Sequence, residues 1–231
     1  MTDTEHQTLS QRVKAGTWDL HERAEHDTLP QHMARGSMPR EAFVEMLGQQ
    51  YLAQSALDER IRAERPNCPA LANLIDDEQL QGPHLARDLA HWGVDASTIE
   101  PRSGSTALIE RVERTNDPFE LLGLHYVREG ANNGNRFIAM KLRKTWDLPM
   151  GQADGFSYLD PYGAEQRPRW EKFKQTLDAQ DMTEDQRATV IAAARDMFEL
   201  IMAMHHDHDL PPIESGDQHT EATHGQPAGH H

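Results

Sequence analysis

Apolar residues recur along this chain at intervals of three and four, and nowhere on strictly alternate positions, so the pattern is that of helices with one buried face. A first helix is predicted over 8–26, carrying Val13, Trp18, Leu20 and Ala24 among polar residues and ending before Pro30. A second begins near Pro39 with Ser37 as candidate cap. It holds a broad stripe of Phe43, Met46, Leu47, Tyr51, Leu57 and Ile61, and Pro66 closes it. A short helix at 71–75 leads to another over 83–92, where Pro83 suits a first turn and Gly93 a stop. Residues 94–105 read as a loop and 106–114 as a helix. The glycine- and proline-rich 149–163 reads as an irregular surface crossing, followed by a helix over 165–177. The last helix starts at Thr183, which has capping-box spacing to Gln186, and packs Val190, Ala194, Met197, Ile201 and Met204 inward. The fold class is therefore all-α, in one helical domain over 1–209, with 210–231 expected to be a disordered, His-rich tail.

One stretch contradicts its own pattern. Residues 124–143, LHYVREGANNGNRFIAMKLR, follow the Asp117-Pro118 start signal and keep helical spacing. Yet Gly130 and Gly134 each cost about 1 kcal/mol relative to alanine in a helix, with the weak helix formers Asn132, Asn133 and Asn135 around them. Two readings stand: a kinked helix whose backbone approaches a flat ligand, or two helices divided between the glycines.

Composition narrows the function classes. A formal charge of −15 disfavours nonspecific binding to nucleic acid or an anionic membrane. No run approaches the roughly 20 apolar residues of a bilayer span, and the polar MTDTEHQ start lacks the features of a signal peptide, so the expected location is cytoplasmic. A single Cys68 excludes an internal disulfide. There is no phosphate loop, nucleophile elbow or paired-cysteine motif, which leaves a site built between helices. Among the fourteen histidines, His21 and Glu25 share a helical face, so the carboxylate can orient an imidazole that binds a ligand through its other nitrogen. His84, Asp88 and His91 share another face and are either metal ligands or a solvated stripe. His205, His206, His208 and the tail residues His219, His224, His230 and His231 read as a mobile, weakly metal-binding set.

Three segments carry a resemblance. DLHERAEHDTLPQHMARGSMPREAFVEMLGQQY is similar to the proximal helix of the heme oxygenases and the helix after it, GPHLARDLAHWG to a later segment, and HYVREGANNGNRF to the distal helix with its Gly-x-x-x-Gly kink; weaker similarity extends the match over 9–208. The resemblance implies a heme-oxygenase-like helical bundle. In it His21 is the axial ligand to heme iron, Glu25 orients that imidazole, and Gly130 and Gly134 let α-helical backbone lie against the porphyrin, pressing dioxygen toward its edge. Tyr126 and Arg128 would frame a distal water network, with Asn132 and Asn133 as further donors. Lys14 on the first helix, and Lys174 with Arg169 or Lys172 on the late helix, would anchor the propionates. Mammalian-type members carry an aspartate just after the first distal glycine; this chain has Ala131.

The implied activity is degradation of heme, at once cofactor and substrate, with dioxygen and external electrons to biliverdin, ferrous iron and carbon monoxide. With no flavin or iron–sulfur motif, the electrons would come from a ferredoxin or flavoprotein reductase, at a face bearing Arg136, Lys141, Arg143 and Lys144. Two rivals remain. One is a non-catalytic heme-binding protein; the other is a non-heme di-iron oxygenase on the same fold, for which His84, Asp88, His125 and Glu129 are the raw material.

Overall fold

The computed structural model describes residues 7–149 and 154–213. Among them there is no strand. The helices are α1 Leu9–Glu25, α2 Thr28–Arg35, α3 Arg40–Glu64, α4 Pro69–Leu74, α5 Gly82–His91, α6 Ser103–Glu113, α7 Pro118–Thr145, α8 Gln166–Asp178 and α9 Glu184–His206, with short 3-10 turns between some of them. Local chemistry sets the ends. Thr8 and Thr183 close capping boxes with Gln11 and Gln186, so orphan amides at the starts of α1 and α9 are bonded from both sides.

Several elements differ from the predicted ones, each for a visible reason. Pro30 lies beyond the end of α1 as predicted, but within a further short helix that the pattern did not predict. It sits in the first turn of α2, where its missing N–H would have had no partner, and Gly36 ends α2 in the left-handed conformation. The N-cap of α3 is Pro39, while the Ser37 hydroxyl bonds His32 Nδ1 at 2.8 Å. Most consequentially, α7 runs unbroken for 28 residues through both glycines, so they do not divide two helices. Neither has a positive φ.

The core lies in two large clusters. One gathers α1, the second half of α3, α4, α6, the first half of α7, α8 and α9 around Leu57, Leu108, Leu124, Leu177 and Met197. The other joins α2, the first half of α3, α5 and the second half of α7 through Phe43, Leu47, Leu85 and Leu142. The second includes Phe156, Tyr158 and Leu159, from the segment predicted to cross the surface irregularly. They are held inside because the buried Asp88 carboxylate accepts the amides of Ser157 and Tyr158, each at 2.8 Å. Helix α7 is the shared wall of both clusters, and it packs most extensively on α9. At that crossing a Cβ on Gly123 would overlap the Val190 carbonyl oxygen. Leu210 packs on the second cluster and the Pro211 carbonyl lies 2.9 Å from His32 Nε2; most of the predicted tail, 214–231, falls outside the described residues.

Candidate active site

Helix α1 turns one stripe outward: Lys14, Trp18, His21 and Glu25, three or four residues apart. The His21 ring stacks parallel on Trp18 at 5.4 Å and meets the edge of Phe198 from α9 at 5.9 Å. Lys14 Nζ lies 5.5 Å from the Trp18 ring centre. Glu25 Oε1 stands 3.6 Å from His21 Nδ1, too long for a hydrogen bond but placed to steady that nitrogen. That Nδ1 is buried and has no hydrogen-bond partner, no hydrogen bond of Nε2 is present among the described residues, and the side chain is 44% exposed. An imidazole steered at one nitrogen and open at the other is the arrangement a ligating histidine needs.

Helix α7 presents a second stripe, Tyr126, Gly130, Gly134 and Phe137, again at three- and four-residue spacing. A Cβ on Gly134 would meet nothing within 4 Å, whereas one on Gly130 would meet the Trp170 ring edge from α8 at 3.3 Å. Trp170 also lies against Tyr126 at 5.1 Å, and Lys174 Nζ is 5.7 Å from its ring centre while pairing with Glu171 at 2.9 Å. The Tyr126 hydroxyl donates to the Ser10 carbonyl at 3.4 Å, tying α7 to α1, and burial together with nearby Asp178 pushes its pKa up to about 12.

The other expected residues are distributed less simply. Arg128 is buried on the opposite side of α7 from the glycines, where its Nη2 donates to Gln81 at 3.0 Å and to Asn132 at 2.9 Å. Asn132 accompanies it, while the Asn133 amide donates to the Gly130 carbonyl at 2.9 Å. Arg169 is engaged by Glu78 at 2.6 Å and Asp76 at 3.3 Å and lies over the Tyr162 ring. Of the four basic residues expected to meet a partner, Arg143 is turned inward, donating to the Pro149 and Asp154 carbonyls and lying 4.5 Å from the Phe156 ring centre, and Arg136 is 3.8 Å from Asp160. Lys141 and Lys144 are exposed and line a groove of about 490 Å³ with Phe137 and Met140. A larger groove, about 690 Å³, lies between α1 and α9 and does not include His21.

No three His, Cys, Asp or Glu residues among the described ones are grouped so as to hold a metal ion. The material for a di-iron site is otherwise engaged: Asp88 by backbone amides, Glu129 by Tyr162 and Asn132, and His84 near the Glu78 carbonyl at 3.4 Å. His125 is fully enclosed and its pKa is driven down to about 3 by that burial, so it is a neutral core imidazole at ordinary pH. Sequence reasoning missed Phe137, Met140 and Trp170 as site residues. The signal was present for Phe137, which lies seven residues after Gly130 and three after Gly134.

The family model for heme oxygenase matches residues 7–207. The chain belongs to the heme oxygenase family. Heme oxygenase 2 of Synechocystis sp. is 24% identical over 206 residues, covering 86% of this chain and 82% of that relative. Among solved structures, the heme oxygenase of Leptospira interrogans superimposes with a TM-score of 0.80 at 18% identity, covering 87% of this chain and all of that one. Heme oxygenase 2 from Synechocystis sp. in complex with heme and NO gives 0.79 at 23% identity, covering 87% and 85%. A TenA homologue from P. horikoshii gives 0.65 at 14% identity, so this architecture is shared with proteins of another name and does not by itself specify an activity.

Proposed function

We propose that this heme oxygenase family member binds heme between the outward stripes of α1 and α7 and degrades it, with dioxygen and electrons from a separate donor, to biliverdin, ferrous iron and carbon monoxide. One observation carries the reading. The large hydrophobic side chains exposed among the described residues are Trp18 at 47%, Phe137 at 70% and Met140 at 44%, and they flank the His21 stripe on α1 and the glycine stripe on α7. Uncovered aromatic surface of this kind marks a binding site. A flat, apolar macrocycle with an iron centre and anionic edges matches what is offered: aromatic faces, an imidazole with a free nitrogen, and Lys14 and Lys174 beside the Trp18 and Trp170 rings. His21 would ligate the iron, with Glu25 steadying its other nitrogen. Gly134 keeps the distal wall low. The bound heme would supply the iron that activates dioxygen.

The electron donor we infer is a ferredoxin or flavoprotein reductase whose acidic surface meets Lys141 and Lys144 around Phe137 and Met140, beside the proposed heme edge. A second reading, a heme-binding protein without turnover, is favoured by Ala131 at the position where mammalian-type members carry an acid. Hemin titration followed by ascorbate or a ferredoxin system in air separates the two. Loss of the Soret band with appearance of biliverdin and carbon monoxide is expected, and His21→Ala should remove the histidine-ligated spectrum. A Soret band that persists under reductant would leave only the binding protein.

A further inference from the structure

Arg128 and Glu129 are neighbours on α7, both almost wholly buried, and they do not pair with each other. Gln81 and Asn132 take the guanidinium, which lies 4.4 Å from the Tyr158 ring centre. The Glu129 Oε2 instead accepts the Tyr162 hydroxyl at 3.1 Å and the Asn132 amide at 3.3 Å. The line continues outward. The Tyr162 hydroxyl is 3.5 Å from the Glu78 carbonyl, and its ring lies 4.3 Å from the Arg169 guanidinium, which pairs with the exposed Glu78 and Asp76. A hydroxyl and a carboxyl thus lead from the surface to α7 immediately before Gly130. Asn133, one turn beyond Glu129, is bonded to the Gly130 carbonyl at the rim of the glycine stripe.

A buried carboxyl spared a cation holds its proton longer. Burial pushes the Glu129 pKa up to about 7, helped by Asp76, while Arg128, Arg169 and the Tyr162 hydrogen bond oppose the rise. The remaining ionisable neighbours are His125, one turn earlier on α7 and neutral, and Glu78, which is paired. A group of that strength is suited to hold and release a proton at neutral pH.

We propose that Glu129, recharged through Tyr162, is the proton reservoir for the glycine-lined face of α7, filling the role left open by Ala131. The proposal rests on the heme-degrading reading above, because reducing dioxygen oxygen to water consumes protons. Only O–H bonds change. The Glu129 carboxyl gives its proton to water at the Gly130–Asn133 edge, and the carboxylate is reprotonated in one concerted hop: the Tyr162 hydroxyl passes its proton inward as it takes another from solvent near Glu78, so that no phenolate forms, burial and Glu129 both holding the Tyr162 pKa above its ordinary value. Glu129 is here a positioning and proton-holding residue, not an iron ligand.

The experiment compares the full chain with E129Q, E129D and Y162F in three measurements. Infrared titration of the heme-free protein should show a protonated carboxyl band that fades near pH 7 and is missing in E129Q. Hemin affinity should stay within about twofold of wild type in all three, since proton delivery is not a binding contact. Biliverdin formation should fall on the order of 100-fold in E129Q, the scale of a lost general acid, with E129D restoring part of it and Y162F flattening the pH profile. E129Q and Y162F proteins that bind hemin and turn over at the wild-type rate and pH profile would overturn the proposal while leaving the heme-degrading reading intact. Wild-type protein that binds no hemin would instead defeat that reading, and this proposal with it.

Discussion

Two glycines one helical turn apart do different work at the level of single residues. Neither needs a positive φ, so backbone freedom is not the reason for either. At Gly130 the absent Cβ makes room for the edge of Trp170, 3.3 Å from where it would lie. At Gly134 it makes room for nothing in the protein itself. An exposed helix-interior glycine with open space above it is a local cost with no internal return, which is the pattern expected of a ligand-facing position. Gly134→Ala is therefore expected to stabilise the heme-free protein, by up to about 1 kcal/mol in thermal or urea unfolding, while lowering heme turnover. Gly130→Ala should give little of that gain, because Trp170 must first shift. Equal stabilisation by both, or turnover untouched by Gly134→Ala, would show that the stripe does not face a ligand.

Helices are positioned by close approach as much as by burial. The long α7 leans on α9 where Gly123 passes the Val190 carbonyl, and any side chain there displaces backbone, not a flexible neighbour. Gly123→Ala is expected to destabilise by roughly 1–3 kcal/mol, the usual range for overpacking, with a fall in the urea midpoint. That outcome contrasts with Gly134→Ala on the same helix. The same crossing fixes the rotation of α7, and with it which face carries the glycine stripe and which buries Arg128 and Asn132. On α1, Leu9, Val13 and Leu20 face the core, so the polar remainder, with Trp18 among it, is left outward.

At the scale of the whole molecule, buried ionisable groups pull stability in opposite directions with pH. Burial raises Glu129 from an ordinary 4.5 to about 7 and Asp58 from 3.8 to about 6. Their contribution is present below the unfolded values and is lost as pH rises through 6 to 7, since the folded state must then hold buried charge. His125 and His208 run the other way, pushed from 6.5 down to about 3 and about 4 by burial. Their contribution is present above 6.5 and is lost as pH falls through those values. E129Q should therefore gain stability relative to wild type between about pH 4 and pH 8, and a difference constant with pH would refute the buried-carboxyl assignment. His125→Leu should lower the pH midpoint of acid unfolding.

The sequence by itself determined the all-α class, the span of most helices and the pairing of His21 with Glu25, because these follow from spacings of three and four that any helix enforces. It also marked the glycine stripe as a local contradiction. It could not decide whether α7 breaks there, since the propensity cost of about 1 kcal/mol per glycine is smaller than the packing of both halves against α9 and the second core cluster. Nor could it place Phe156 and Tyr158 in the core, which depends on the Asp88 carboxylate reaching their segment from about 70 residues away. The inward turn of Arg143, the exposure of Phe137 and the line from Tyr162 to Glu129 were decided only by the tertiary structure. Each depends on which elements meet across long sequence separations, and a side chain's charge or size does not encode its neighbours.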